Sequence, residues 1–220
     1  MTYPSTNPER AALYLKAVHE IRERLRGIDR LLAGDMAPLI IQEFCQLQLR
    51  LAAECLAIAC LAAQGDFETH KAFRERYEPG AIFKALEALY PEFFPTPSIM
   101  QRVAEGQLHF DGEGHGNAIT RDDIEQIWNL SGAHLHRGSA KRYLKDAVEI
   151  DLLSITRSKE KFWNLLMDHI VVLSDQVSRF HVHAERFGED IRCHFLFLDM
   201  ENGTARVEAY DAAVTQDTLR

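Results

Sequence analysis

The sequence predicts a mainly helical domain, a bundle around one buried helix, closed by a small C-terminal antiparallel β-hairpin or meander. Three observations carry this. Apolar residues recur at helical steps through the first third of the chain, and the run from Leu51 to Ala63 is apolar on every side except at Glu54. Beyond Asp168 the period changes from helical towards two. At 220 residues the chain supports one good core. The expected division is a bundle of about seven helices over residues 1–168, a β-element packed on it over 169–212, and a frayed tail over 213–220.

The first helix opens at Asn7 with Pro8 behind it, a cap followed by proline at the first helical position. Tyr14, Val18, Ile21, Leu25, Ile28 and Leu32 then line one face, while Lys16, Arg22, Glu23, Arg26 and Arg30 read as the solvated face. Gly34 and Asp35 separate it from a second helix running from about Ala37 to Gln64 and ended by Gly65. The apolar run inside it has 13 residues, too short to span a membrane, so it is placed at the bundle centre. Arg50 and Glu54 stand one turn apart there and are expected to pair, as a packing link or a polar binding site.

Asp66 caps a short helix to about Tyr77, and Pro79 opens another that ends before Pro91. The segment YPEFFPTP reads as a rigid extended strap laid on the bundle. From Ser98 to Asn117 the periodicity weakens, and DGEGHGN reads as a mobile loop with His109 before it and His115 among its glycines. Thr120 and Asp123 form a capping box ahead of a helix with Ile124, Ile127, Trp128 and Leu130 on one face. Gly138 is placed to end it and Ser139 to cap the next helix. A last helix covers roughly Lys159 to Asp168. The segments HIVVL, RFHVHAE, DIRCHFLFLDM and TARVEAYD then read as strands, the last two joined by Asn202-Gly203.

The net charge of −8 argues against a protein that coats nucleic acid by bulk electrostatics, though a local basic patch is compatible with it. The N-terminus has no basic stretch followed by an apolar one, so a cytoplasmic protein with no membrane partner is expected. Cys45, Cys55, Cys60 and Cys193 form no CxxC pair and read as buried free thiols. Signatures for phosphate loops, dinucleotide sites, nucleophile elbows and zinc proteases are absent, and no cofactor is implied.

Two clusters could carry chemistry. His134, His136 and Arg137 gather in SGAHLHRGS at a helix C-terminus, where carbonyl dipoles favour cations. His181 and His183 alternate onto one face of a strand, with His194 on the neighbouring strand, a set that could hold zinc.

Long paired helices followed by a helix ending in small residues, a histidine and a glycine resemble the HEPN class of helical domains, over roughly residues 10–170. The resemblance implies a dimeric bundle of bacterial toxin and phage-defence systems, with metal-independent RNase activity in many members. That class carries an Arg, four to six residues, then a His. With His136 as that histidine, the matching positions hold Asn129, Leu130 and Ser131. Asn129 and His136 are thus the catalytic candidates the resemblance implies, with Arg137 as a stand-in for the missing arginine; His134 at the helix end and Arg50 and Glu54 at the bundle centre are the binding candidates read from the residues. The chain is also similar to bacterial proteins sharing its apolar-helix, proline-strap and LHRG layout.

Three functions follow as expectations. One is a HEPN-like homodimer, non-catalytic or degenerate, that binds RNA or a partner protein in stress or phage defence. Another is a metal-dependent hydrolase using clustered histidines. The third is an interaction module whose exposed β-edge accepts a partner strand.

Overall fold

The computed structural model describes residues 7–65, 78–104, 107–112, 114–135, 150–188, 191–199 and 204–210. Its helices are α1 (Asn7–Leu32), α2 (Pro38–Gln64), α3 (Pro79–Leu89), α4 (Arg121–Leu135) and α5 (Leu152–Leu166). Its strands are β1 (Thr96–Pro97), β2 (Ile99–Ala104), β3 (Gln107–Asp111), β4 (His169–Val172), β5 (Ser178–Ala184), β6 (Ile191–Asp199) and β7 (Thr204–Tyr210). The chain is therefore mostly helical with an antiparallel β part, and the described residues hold five helices against the seven expected. The helices read from Asp66 to Tyr77 and from Ser139 onward lie outside the described residues.

α1 and α2 form an antiparallel pair. Arg24 donates to Gln48 at 3.2 Å, and Glu20 lies beside Cys55. Tyr14, Val18, Ile21, Leu25 and Ile28 are wholly buried, as their spacing requires. Arg22 departs from the solvated face expected of it: it is 1% exposed, and its guanidinium donates to His19 Nδ1 at 3.0 Å. Within Leu51–Ala63, Ala52, Ala53, Leu56, Ala57, Ala59, Cys60, Ala62 and Ala63 are fully buried, whereas Ile58 is 42% exposed. Gly65 ends α2 at φ +69°, in the left-handed region, with its N–H returning to the carbonyls of Leu61 and Ala62. By length and composition α2 could cross a membrane; 56% of its most apolar stretch is buried in the bundle.

The strap after α3 behaves as its prolines and aromatics demand. Phe93 is buried, and Phe93 and Phe94 each sit 5.6 Å from the ring of Phe83. Thr96 and Pro97 then pair with Ile170 and His169, so the strap supplies an edge strand to the C-terminal sheet.

Residues 98–117, where the periodicity weakens, contain the antiparallel hairpin β2–β3, with an irregularity between Arg102 and Ala104. β2 lacks a clean alternation and β3, though it alternates, has only five residues, which hid them. The loop beyond has glycines in the left-handed region on either side of His115, Gly114 at φ +61° and Gly116 at φ +101°. A Cβ on Gly114 would stand 2.4 Å from Cβ of Pro97. Gly114→Ala is accordingly expected to cost about 1–3 kcal/mol, read as a lowered urea midpoint; an unchanged midpoint would remove this packing argument.

The capping box forms as read. Thr120 Oγ1 accepts from Asp123 N–H at 3.2 Å, and Asp123 Oδ2 accepts from Thr120 N–H at 3.0 Å. α5 begins well before Lys159, at Leu152, because Asp151 caps it by accepting from Ser154 N–H at 2.9 Å.

The main sheet has order β1-β4-β5-β6-β7, every pairing antiparallel. Val171, Phe180, Val182, Ala184, Cys193 and Phe195 form its bundle-facing side and join the core. By alternation, Arg179, His181 and His183 of β5 and Arg192, His194 and Leu196 of β6 point to the other side. β6, whose apolar run suggested a sticky edge, lies between β5 and β7 and has both edges paired.

Candidate functional site

The outer side of the sheet gathers imidazoles around one carboxylate. Asp168 sits in the junction between α5 and β4, and its main-chain oxygen accepts from Ser98 N–H of the strap at 3.1 Å. Its Oδ2 accepts from His115 Nε2 at 2.6 Å, and its Oδ1 from His183 Nδ1 at 3.0 Å, with His181 Nε2 3.7 Å from the same oxygen. Three separate segments therefore deliver this cluster: the glycine-flanked loop brings His115, the helix-to-strand junction Asp168, and β5 the other two.

Access differs along the cluster. The Asp168 side chain is 10% exposed, while His115 and His183 are 32% and 36% exposed. Burial by itself pushes the Asp168 carboxyl up, but hydrogen bonds from His183 and His115 outweigh it and hold Asp168 below its ordinary range. The same hydrogen bond raises His183 above its ordinary value, against a smaller opposing effect of burial. Burial lowers His181, which donates from Nε2 to the Ser98 carbonyl at 3.0 Å.

A carboxylate only accepts, so both Asp168 contacts fix a tautomer. His183 presents Nε2 away from Asp168, and His115 presents Nδ1. Beside His115, a shallow open depression of about 370 Å³ lies between the strap and the start of α4, lined by Phe94, Pro97, Gly116, Asn117, Ile119 and Arg121.

Beneath the sheet, a buried pair lies on the bundle side. Tyr14 donates to His169 Nε2 at 2.8 Å, and His169 Nδ1 donates to the Leu165 carbonyl at 3.0 Å. Burial depresses His169 to about 4, so this imidazole is neutral at ordinary pH, and burial raises Tyr14.

The residues singled out from sequence fall in different places. Arg50 Nε meets Glu54 Oε1 at 3.2 Å, Trp128 Nε1 donates to the same oxygen at 2.9 Å, and the guanidinium carbon stands 4.1 Å from the Trp128 ring centre. That trio ties α2 to α4 and stays apart from the imidazole cluster. Asn129 is exposed on α4, and His134 falls in its last turn. His136 and Arg137 lie outside the described residues.

The expected trio of His181, His183 and His194 is divided. His183 is bonded to Asp168, while His181 and His194 pair across β5 and β6 with ring centres 6.0 Å apart. Among the described residues, no group of three or more His, Cys, Asp or Glu side chains is arranged to hold a metal ion. All four cysteines are free and buried, and burial pushes Cys45 to about 11 and Cys193 to about 12. Asp168 was not marked by any motif; its only sequence signal is an acid at the break between helical and strand periodicity, just before a histidine.

Comparison with family models, with curated proteins and with solved structures returned no match to this chain.

Proposed function

We propose that Asp168, His115 and His183 form a metal-independent acid–base centre that cleaves RNA, on a bundle of the HEPN-like kind. The observation carrying this reading is a single, mostly buried carboxylate that orients two solvent-reaching imidazoles. One carboxylate anchors both rings, each through one nitrogen, and leaves each a second nitrogen facing away from it. That is the arrangement in which one acts as acid and the other as base.

His183, whose bond to Asp168 favours its protonated form, is assigned the acid. His115 takes the proton of a ribose 2′-hydroxyl as the 2′-oxygen attacks the neighbouring phosphorus. His183 then protonates the departing 5′-oxygen. The products are a 2′,3′-cyclic phosphate and a free 5′-hydroxyl, and no water or metal enters this step. RNA supplies the internal nucleophile that such a pair needs, which DNA lacks. Arg179 and Arg192 on the same side of the sheet favour an anionic substrate despite the acidic net charge.

The test is cleavage of an end-labelled single-stranded RNA pool by tag-free protein in EDTA across pH 5–9. Cyclic-phosphate ends and a bell-shaped profile are expected, with His115→Gln and His183→Gln each slowed about 10²-fold or more. His136→Ala should cleave like wild type. Wild type that leaves the RNA intact, or His183→Gln as active as wild type, rules the centre out; loss confined to His136→Ala returns the chemistry to the end of α4.

A further inference from the structure

We propose that His181 and His194 form a separate site for one first-row transition-metal ion, with zinc as its probe, leaving coordination positions open to solvent or ligand. The two residues are direct cross-strand partners on β5 and β6, and their ring centres lie 6.0 Å apart with planes inclined at 42°. A zinc–nitrogen bond of about 2.0–2.1 Å places an ion roughly 3 Å from the centre of each ring it binds. One ion seated between the rings therefore spans the observed separation.

The protonation pattern of His181 is that of a prepared ligand. The Ser98 carbonyl can only accept, so Nε2 of His181 carries the hydrogen and Nδ1 carries a lone pair. His181 is 2% exposed, and its Nδ1 has no hydrogen-bond partner among the described residues. A buried acceptor left unmet is costly, and its presence calls for an occupant. Metal-ligating histidines recurrently donate their other ring N–H to a backbone carbonyl or carboxylate, which fixes the tautomer; here Ser98 does so, with Asp168 3.7 Å away. Burial lowers His181 and so favours the neutral form that a ligand needs.

Phe110 of β3 closes the other side, its ring centre 6.0 Å from that of His181, while His194 is only partly buried and leaves a route for an ion. Imidazole donors suit zinc, copper and nickel. With two protein ligands the remaining coordination positions fall to solvent or a ligand, so binding is weaker than at a closed structural site. The inference stands apart from the acid–base reading, because His115 and His183 take no part in it.

The experiment is zinc titration of the tag-free full chain at pH 7.5 by calorimetry, on wild type, His194→Gln, His181→Asn, His183→Gln and His115→Gln. One ion per chain is expected in wild type. His194→Gln and His181→Asn should weaken it at least tenfold, while His183→Gln and His115→Gln should bind as wild type does. His194 is partly exposed, so its variant tests the site even if His181→Asn does not fold. No stoichiometric binding in wild type, or binding that survives His194→Gln, overturns the proposal. Loss with His183→Gln but not His194→Gln also overturns it, by moving the ion to Asp168.

Discussion

Lowering the pH from 7 to 4 is expected to remove about 3 kcal/mol of stability through one residue, His169, whose folded-state value is depressed from 6.5 to about 4. The imidazole is wholly buried, accepts from Tyr14 and donates to the Leu165 carbonyl, so protonation would break an internal hydrogen bond and bury an unpaired charge. A folded value below the unfolded one means that the unfolded chain takes up the proton first. The contribution is therefore complete above about 6.5 and is lost as the pH falls towards 4.

Two neighbours act differently. His183 is raised, so its contribution is present below the ordinary histidine value and fades as the pH climbs through the folded one. Asp168 is lowered, so its contribution fades only under stronger acid than a free carboxyl needs. Urea midpoints of wild type and His169→Gln between pH 4.5 and 7 isolate the His169 contribution, because the variant keeps an acceptor for Tyr14 but does not titrate. A markedly shallower slope is expected in the variant; identical slopes would show that His169 does not carry the acid sensitivity.

Trp163→Ala is the substitution expected to cost most in packing, about 3–5 kcal/mol. Trp163 is fully buried in α5, which packs against α1, α2 and the sheet. The guanidinium of Arg186 stands 5.4 Å from its ring centre while bonded through two nitrogens to Glu160 at 2.7 Å each. Removing the indole empties the meeting point of the helical and β layers, and a close-packed interior refills such a space only in part. At a urea slope of about 1–3 kcal/mol/M, the midpoint should fall by about 1–5 M. Phe187→Ala, at a residue 91% exposed one position from Arg186, serves as the control and should stay within about 0.5 kcal/mol. Equal losses for the two would contradict the assignment of Trp163 to the core.

What could be read from the sequence was whatever depends on near neighbours in the chain. The spacing from Tyr14 to Ile28, the αL stop at Gly65, the Thr120–Asp123 box and the alternation in β5 and β6 are all local, and each is present in the structure. What escaped depends on distant neighbours. β1 has only two residues and exists because β4 lies alongside it. Arg22 looked solvated by helical position, and only the folded bundle shows that its side chain is covered while Lys16 and Arg30 stay exposed. The site follows the same rule: histidines were visible as residue types, but Asp168 and His115 are 53 positions apart and nothing in their spacing links them. The helix end SGAHLHRGS drew attention through its local pattern, while the residues the fold brings together come from three remote segments.

Tyr14 and His169 are separated by 155 positions, and the hydrogen bond between them joins the first helix to the first strand of the C-terminal meander. During synthesis on the ribosome, α1 and α2 emerge long before the sheet that covers them. Until then the Tyr14 hydroxyl has no imidazole to meet, and the flank of the nascent helical pair that will receive Phe180 and Val182 stays uncovered. Completion of this fold is thereby tied to translation of β4 to β6, whose apolar side covers that flank.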